Sequence, residues 1–218
     1  MRLRQVYEFQ TVSDKPYAIQ TLREDELFFE SSVAPALGGQ PFVVIAPGAA
    51  DAGKRWQNPE GFAAVAEHLS MDAKVIFVGD AKDAEIVADI QRRMKSDSLS
   101  LAGKINLRQL AYVLKKCSWA LTHDSGVMHL ACYFNIPVVV LWGPTDIHRY
   151  APWSQKAVVV RRNEKCPRCQ DPKGKEGHNC MSFIEVKDII EATQNLNKIL
   201  HFPPPCGEGK GGGNIAVP

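Results

Sequence analysis

From residue 41 onward, short apolar runs rich in branched residues alternate with amphipathic stretches of helical period, and that alternation restricts the chain to one fold class. Pro41-Phe-Val-Val-Ile-Ala, Lys74-Val-Ile-Phe-Val, Ser98-Leu-Ser-Leu, Ser118-Trp-Ala-Leu-Thr, Ile136-Pro-Val-Val-Val-Leu-Trp and Lys156-Ala-Val-Val-Val read as strands. Helices are expected between them. Asn58-Pro59-Glu60 is a start signal: a capping Asn, Pro in the first turn and an acid near the positive end of the dipole, with the helix running to about Leu69. Residues 81–95 form a second helix, with Ile86, Ile90 and Met94 on one face. Asn106 caps a third, through Lys116, with Leu107, Leu110, Ala111 and Leu114 as its stripe. Ser125–Phe134 and Val186–Leu200 complete the set. Strands alternating with helices predict an α/β fold with a doubly wound parallel, Rossmann-like sheet.

The ends differ. Residues 1–40 hold one extended patch, Pro16–Gln20, and one short helical patch near Leu22–Phe29, and are expected to be a linker or the remnant of an upstream domain, with Met1 an internal start. Residues 41–202 are the expected folded domain, and the Pro- and Gly-rich residues 203–218 a disordered tail. A net charge of +2 gives no argument for nucleic acid or for a membrane surface. Neither a spanning apolar run nor an apolar stretch after the basic start is present, so a cytoplasmic protein is expected.

In an open parallel sheet, ligands bind where loops leave the carboxyl ends of the strands. Three such loops carry suggestive chemistry. Pro47-Gly48-Ala-Ala-Asp-Ala-Gly-Lys54-Arg55-Trp56 has small residues that let backbone amides approach an anion, followed by two cations. Its spacing is not that of a P-loop, and a solvated basic loop is the plainer alternative. Thr122-His-Asp124-Ser125-Gly126-Val-Met-His129 joins a strand to a helix and would offer N–H groups at Ser125, Gly126 and Val127 to an anion. Here the alternative is that Asp124 or Ser125 is an N-cap and His129 a core histidine. Leu141-Trp-Gly143-Pro144-Thr145-Asp146 makes a tight turn at Gly143 and Pro144, and its last two residues contact a ligand or close the turn.

Taken in order, these loops resemble glycosyltransferase family 9, whose best-known members are the ADP-heptose:lipopolysaccharide heptosyltransferases. The resemblance rests on Pro47-Gly48 with Lys54-Arg55-Trp56, on Asp124-Ser125-Gly126-Val127-Met128-His129-Leu130-Ala131 and on Gly143-Pro144-Thr145-Asp146, and covers roughly residues 16–200. It implies the carboxyl-terminal half of a GT-B enzyme, which binds ADP-heptose or a related nucleotide-sugar for inverting transfer without a cofactor or a built-in metal. The family's amino-terminal domain binds the lipopolysaccharide inner-core acceptor and supplies a catalytic Asp. That domain is expected to be missing here, which leaves the isolated chain inactive. Such an acceptor would bring the enzyme to the inner face of the plasma membrane.

By the same resemblance Lys54 neutralises the diphosphate and helps it leave, with Gly48 in the same loop. Ser125 and Gly126 cradle phosphates, Asp124 holds sugar hydroxyls, His129 supports that loop and Thr145 borders the ligand. Two departures stand out. Ala49 and Ala50 occupy positions where many heptosyltransferases have hydroxyls, and Ala81 occupies that of an acid that contacts adenosine, with Asp80 and Asp83 as nearby substitutes. The alternative function is a non-catalytic nucleotide- or sugar-binding module, or an inactive fragment of such an enzyme.

Of the six cysteines, Cys117 and Cys132 lie in apolar periodic segments and read as core. Cys166, Cys169, His178 and Cys180 have a ligand set that zinc accepts, against the alternative of reduced cysteines in a loop.

Overall fold

A computed structural model describes residues 19–161 and 180–200. Six parallel strands form one sheet: β1 (Phe42–Ile45), β2 (Lys74–Phe77), β3 (Ser98–Ser100), β4 (Ala120–His123), β5 (Val138–Leu141) and β6 (Ala157–Val160). Their order is β3-β2-β1-β4-β5-β6. The order reverses direction between β1 and β4, and the connections leaving those two strands diverge to opposite faces. A crevice therefore opens at their carboxyl ends.

Helices cover both faces. On one side lie α3 (Pro59–Leu69), α4 (Ala84–Arg93) and α8 (Val186–Leu200), which bury Phe62, Val65, Val87, Ile90 and Ile189 against Val43, Ile45, Phe77 and Leu121 of the sheet. On the other lie α1 (Arg23–Phe28), α2 (Ala34–Leu37), α5 (Leu107–Lys116), α6 (Gly126–Tyr133) and α7 (Ile147–Tyr150), packed on Val44, Ile76, Ala120, Val138 and Val140. Successive residues of each strand face opposite ways, so burial on both sides requires the unbroken apolar runs seen in the sequence.

The caps act as their chemistry requires. Asn58 Oδ1 accepts from Gly61 N at 2.9 Å, and Pro59 occupies the first turn, where its missing N–H costs nothing. Asn106 and Gln109 bond each other's backbone in a reciprocal capping box at α5.

Two helical faces differ from the expected stripes. On α5 Leu107 is 68% exposed, while Val113 is fully buried beside Ala111 and Leu114. The first turn of that helix leaves its apolar residue uncovered, while the later turns are buried. On α4 Val87 and Ile90 are buried, and Ile86 and Met94 flank them half-covered.

Residues 23–37 form one helical run, α1, a π-helical turn Phe29–Val33 and α2, ended by Gly38 in the left-handed region at φ 57°. Phe29, Val33 and Leu37 bury in the same core as Phe42 and Val44, so this segment covers part of the sheet. None of the described helices is long and apolar enough to cross a membrane.

Candidate functional site

The crevice is built from the loop after β1 and the loop after β4. The first leaves the sheet at Ala46, makes a 3₁₀ turn at Ala52–Lys54 and reaches α3 through Trp56. Asp51 sets that turn by accepting from Gly53 N at 2.9 Å. Arg55 donates from Nε to Ala49 O at 2.7 Å and so braces its own loop. Lys54 reaches across instead, and its Nζ lies 2.8 Å from Asp124 Oδ2. The two side chains are 24% and 6% exposed, so this pair is partly sheltered from water, with the ammonium the more accessible partner.

Asp124 stands between β4 and α6. Ser125 is the N-cap residue of α6, in an extended conformation, yet its hydroxyl is 3.0 Å from Thr122 Oγ1 and makes no cap bond. The first-turn N–H groups of α6 therefore have no side-chain cap. Gly126 is exposed, and a Cβ placed on it would meet nothing within 4 Å, so the approach to these donors is open. Lys54, Asp124, Ser125 and Gly126 thus stand together at the switch point: one cation, one carboxylate and a helix start.

Gly48 is in the same crevice wall for a different reason. A Cβ there would lie 2.2 Å from the Asp83 carboxyl group, which is itself buried at the end of the loop after β2. Glycine allows the two loops to touch. Asp83 Oδ2 accepts from Asp80 N at 3.0 Å, and Asp80 Oδ1 accepts from Lys82 N at 2.7 Å. Both acids are engaged in organising this turn.

The remaining expected residues lie on the loop after β5 and on α6. Thr145 is 2% exposed, its carbonyl accepts from Trp142 Nε1 at 2.8 Å, and its hydroxyl has no hydrogen-bond partner. Asp146 caps α7 by accepting from His148 N at 3.0 Å, which closes the turn. Gly143 lies under Met181, with its Cβ position 2.7 Å from the Met181 sulfur and 3.5 Å from Gly53 O, so the third loop abuts the first. His129 is not a core histidine. It is exposed on α6, its ring centroid 6.1 Å from that of Trp153, which is 71% exposed.

Among the described residues the buried histidine is His123, at the end of β4, a position that loop chemistry does not single out. It is 0% exposed, and burial, the largest cause, pushes its pKa down to about 4. The hydrogen bond to Gly48 opposes that shift, the Arg55 charge adds to it and the Asp124 charge opposes it. Its Nε2 accepts from Trp56 N at 2.9 Å, and its Nδ1 lies 3.3 Å from Gly48 O. The signal for it was positional: an imidazole at the carboxyl end of a buried strand, directly before Asp124.

Cys117 is buried and its thiol is pushed up to about 12 by desolvation. Cys132 is half-buried and pushed up to about 11 by the same cause, so both stay protonated and unreactive near neutrality. Of the cysteine cluster, Cys180 is buried at the start of a 3₁₀ turn, Cys180–Phe183, while Cys166, Cys169 and His178 lie outside the described residues. Among the described residues, no group of three or more His, Cys, Asp or Glu side chains is arranged to hold a metal.

Known proteins are similar to this chain over most of its length. It is 32% identical over 196 residues to lipooligosaccharide heptosyltransferase 2 of Haemophilus influenzae, covering 85% of this chain and 56% of that protein. It is 34% identical over 175 residues to lipopolysaccharide heptosyltransferase 2 of Escherichia coli, covering 78% and 49%. The chain therefore spans about half the length of these relatives.

Among solved structures, the E. coli ADP-heptose LPS heptosyltransferase II superposes with a TM-score of 0.69 at 26% identity, over 84% of this chain and 54% of that one. A family 9 glycosyl transferase from Veillonella parvula does so with 0.68 at 26%, over 80% and 50%. Residues 3–179 match the family described as glycosyltransferase family 9 (heptosyltransferase). The chain belongs to glycosyltransferase family 9, and its sheet is the Rossmann-like half of a GT-B heptosyltransferase fold.

Proposed function

We propose that this domain binds the nucleotide-sugar donor of a heptosyltransferase, ADP-heptose, in the crevice between β1 and β4, and stabilises the diphosphate as it leaves. The observation that carries the reading is the Lys54–Asp124 pair at 2.8 Å, set beside the uncapped start of α6 at the topological switch point. A diphosphate here would meet an ammonium and a row of backbone N–H groups. Both are fixed before the reaction begins.

In an inverting transfer the acceptor hydroxyl attacks the anomeric carbon as the bond to the diphosphate breaks, and negative charge grows on the departing ADP. Donors already aimed at that charge lower the barrier without reorganising. Asp124 has two tasks in this scheme. It holds Lys54 in place through one oxygen, and its carboxylate is positioned to accept hydrogen bonds from sugar hydroxyls once the phosphate competes for the ammonium.

Under this reading the lipopolysaccharide inner-core acceptor and the general base belong to the facing domain of a GT-B enzyme, and transfer requires both domains. A cytoplasmic site of action, at the inner face of the plasma membrane, follows from such an acceptor.

Isothermal titration tests the proposal. ADP and ADP-heptose are expected to bind the wild-type chain. Lys54→Ala should weaken either ligand by about 10- to 100-fold, the loss of one charge-assisted contact, with little change in thermal midpoint. Absence of ADP binding at millimolar ligand would refute the donor reading. Retained binding of ADP with no discrimination for its heptose ester would favour a general nucleotide-binding module.

A further inference from the structure

The loop from Gly48 to Trp56 carries Lys54, yet its only regular structure is the short 3₁₀ turn at Ala52–Lys54. A loop of this kind needs an external hold if Lys54 is to occupy one place. We infer that His123 is a positioning residue that latches both ends of this loop to strand β4, and thereby fixes Gly48 and Lys54 relative to the start of α6. Its consequence for binding rests on the donor-site reading; the latch itself does not.

The tautomer follows from the partners. The Trp56 backbone N–H can only donate, so the Nε2 atom that receives it at 2.9 Å carries no proton. The proton is then on Nδ1, which donates to Gly48 O at 3.3 Å. One neutral imidazole thus joins an N–H at the end of the loop to a carbonyl at its beginning. Burial keeps the ring neutral at ordinary pH, as both bonds require.

The ring's orientation is set by packing, since Phe62 meets it edge-on at 5.8 Å and 81°. Trp56 is fixed from its other side by donation from Nε1 to Ile184 O at 3.0 Å. The next residue along the strand, Asp124, holds the Lys54 ammonium. Two consecutive residues therefore grip the loop at three points, and His123 acts without touching the ligand.

The test separates a latch from a core-filling ring. His123→Phe keeps a ring against Phe62 but removes both polar atoms. The Trp56 amide should then exchange with solvent about tenfold faster or more, and ADP affinity should fall about tenfold. His123→Gln can return the acceptor for Trp56, and His123→Asn the donor for Gly48. Each should recover part of the loss, and only His123→Gln should restore protection at Trp56.

In the wild-type chain, nitrogen NMR of the imidazole should report the Nδ1–H tautomer. Unchanged Trp56 exchange and ADP affinity in His123→Phe would overturn the latch, and so would an Nε2–H tautomer. If His123→Phe does not fold, the tautomer and the two amide variants decide. If the wild-type chain binds no ADP, the donor reading falls, and the latch is judged on Trp56 exchange and the tautomer alone.

Discussion

At the residue scale, His123 and Gly48 show how much of the site depends on contacts between loops. His123 has its folded pKa lowered to about 4 from 6.5, chiefly by burial. Between those values the unfolded chain binds a proton that the native state refuses, so stability falls as pH drops through this window and levels off below it. The shift corresponds to roughly 3 kcal/mol of stability lost across the window. Arg55 works against protonation and Asp124 for it, and both remain in a His123→Phe variant. Urea unfolding of wild type and His123→Phe at about pH 7 and about pH 4.5 should therefore show a smaller loss in the variant, by an amount of that order.

Gly48 makes a second, steric demand. Gly48→Ala would drive a methyl into the Asp83 carboxyl group at 2.2 Å, where Asp83 is already tied to the Asp80 backbone. The expected cost is about 1–3 kcal/mol, by overpacking. It should shrink when Asp83 is also changed to Ala, as a double-mutant cycle by denaturant unfolding would show.

At the element scale, much was legible because capping and periodicity are local. The starts of α3 and α5 stand where Asn58 and Asn106 place them, and α8 spans Val186–Leu200 as its pattern indicates. Asn58→Ala should cost about 1 kcal/mol in unfolding free energy through loss of the bond from Gly61 N. Leu107 illustrates where periodicity fails. It has the right spacing for the α5 stripe and is nonetheless exposed, because a helix pattern does not tell which turn the rest of the fold covers. Leu107→Ala should therefore shift the thermal midpoint far less than Leu114→Ala, whose side chain is fully buried and should cost about 2–5 kcal/mol. The candidate site was legible to a similar degree. Lys54, Asp124, Ser125 and Gly126 could be named from loop chemistry, but His129 and His123 could not be ranked, since burial is not a local property of the sequence.

At the scale of the whole molecule, residues 19–40 pack as part of the fold. Phe29, Val33 and Leu37 cover the same face of the sheet as α5 and α6, and Arg108 of α5 pairs with Glu24 of α1. Three apolar side chains buried here contribute about 1.5–3 kcal/mol each. A variant lacking residues 1–40 should unfold at markedly lower temperature than one lacking residues 1–18, and should expose apolar surface that binds a hydrophobic dye. Equal midpoints in calorimetry would make residues 19–40 dispensable for the fold.

The sequence by itself determined the fold class, the positions of most strands and helices, and the family, because β-branched runs, helix caps and loop motifs are each written in adjacent residues. The order of the strands, the pairing of Lys54 with Asp124 and the burial of His123 between Gly48 and Trp56 belong to tertiary structure alone. Each joins residues far apart in the chain, and only the pairing of β1 with β4 brings their partners within reach.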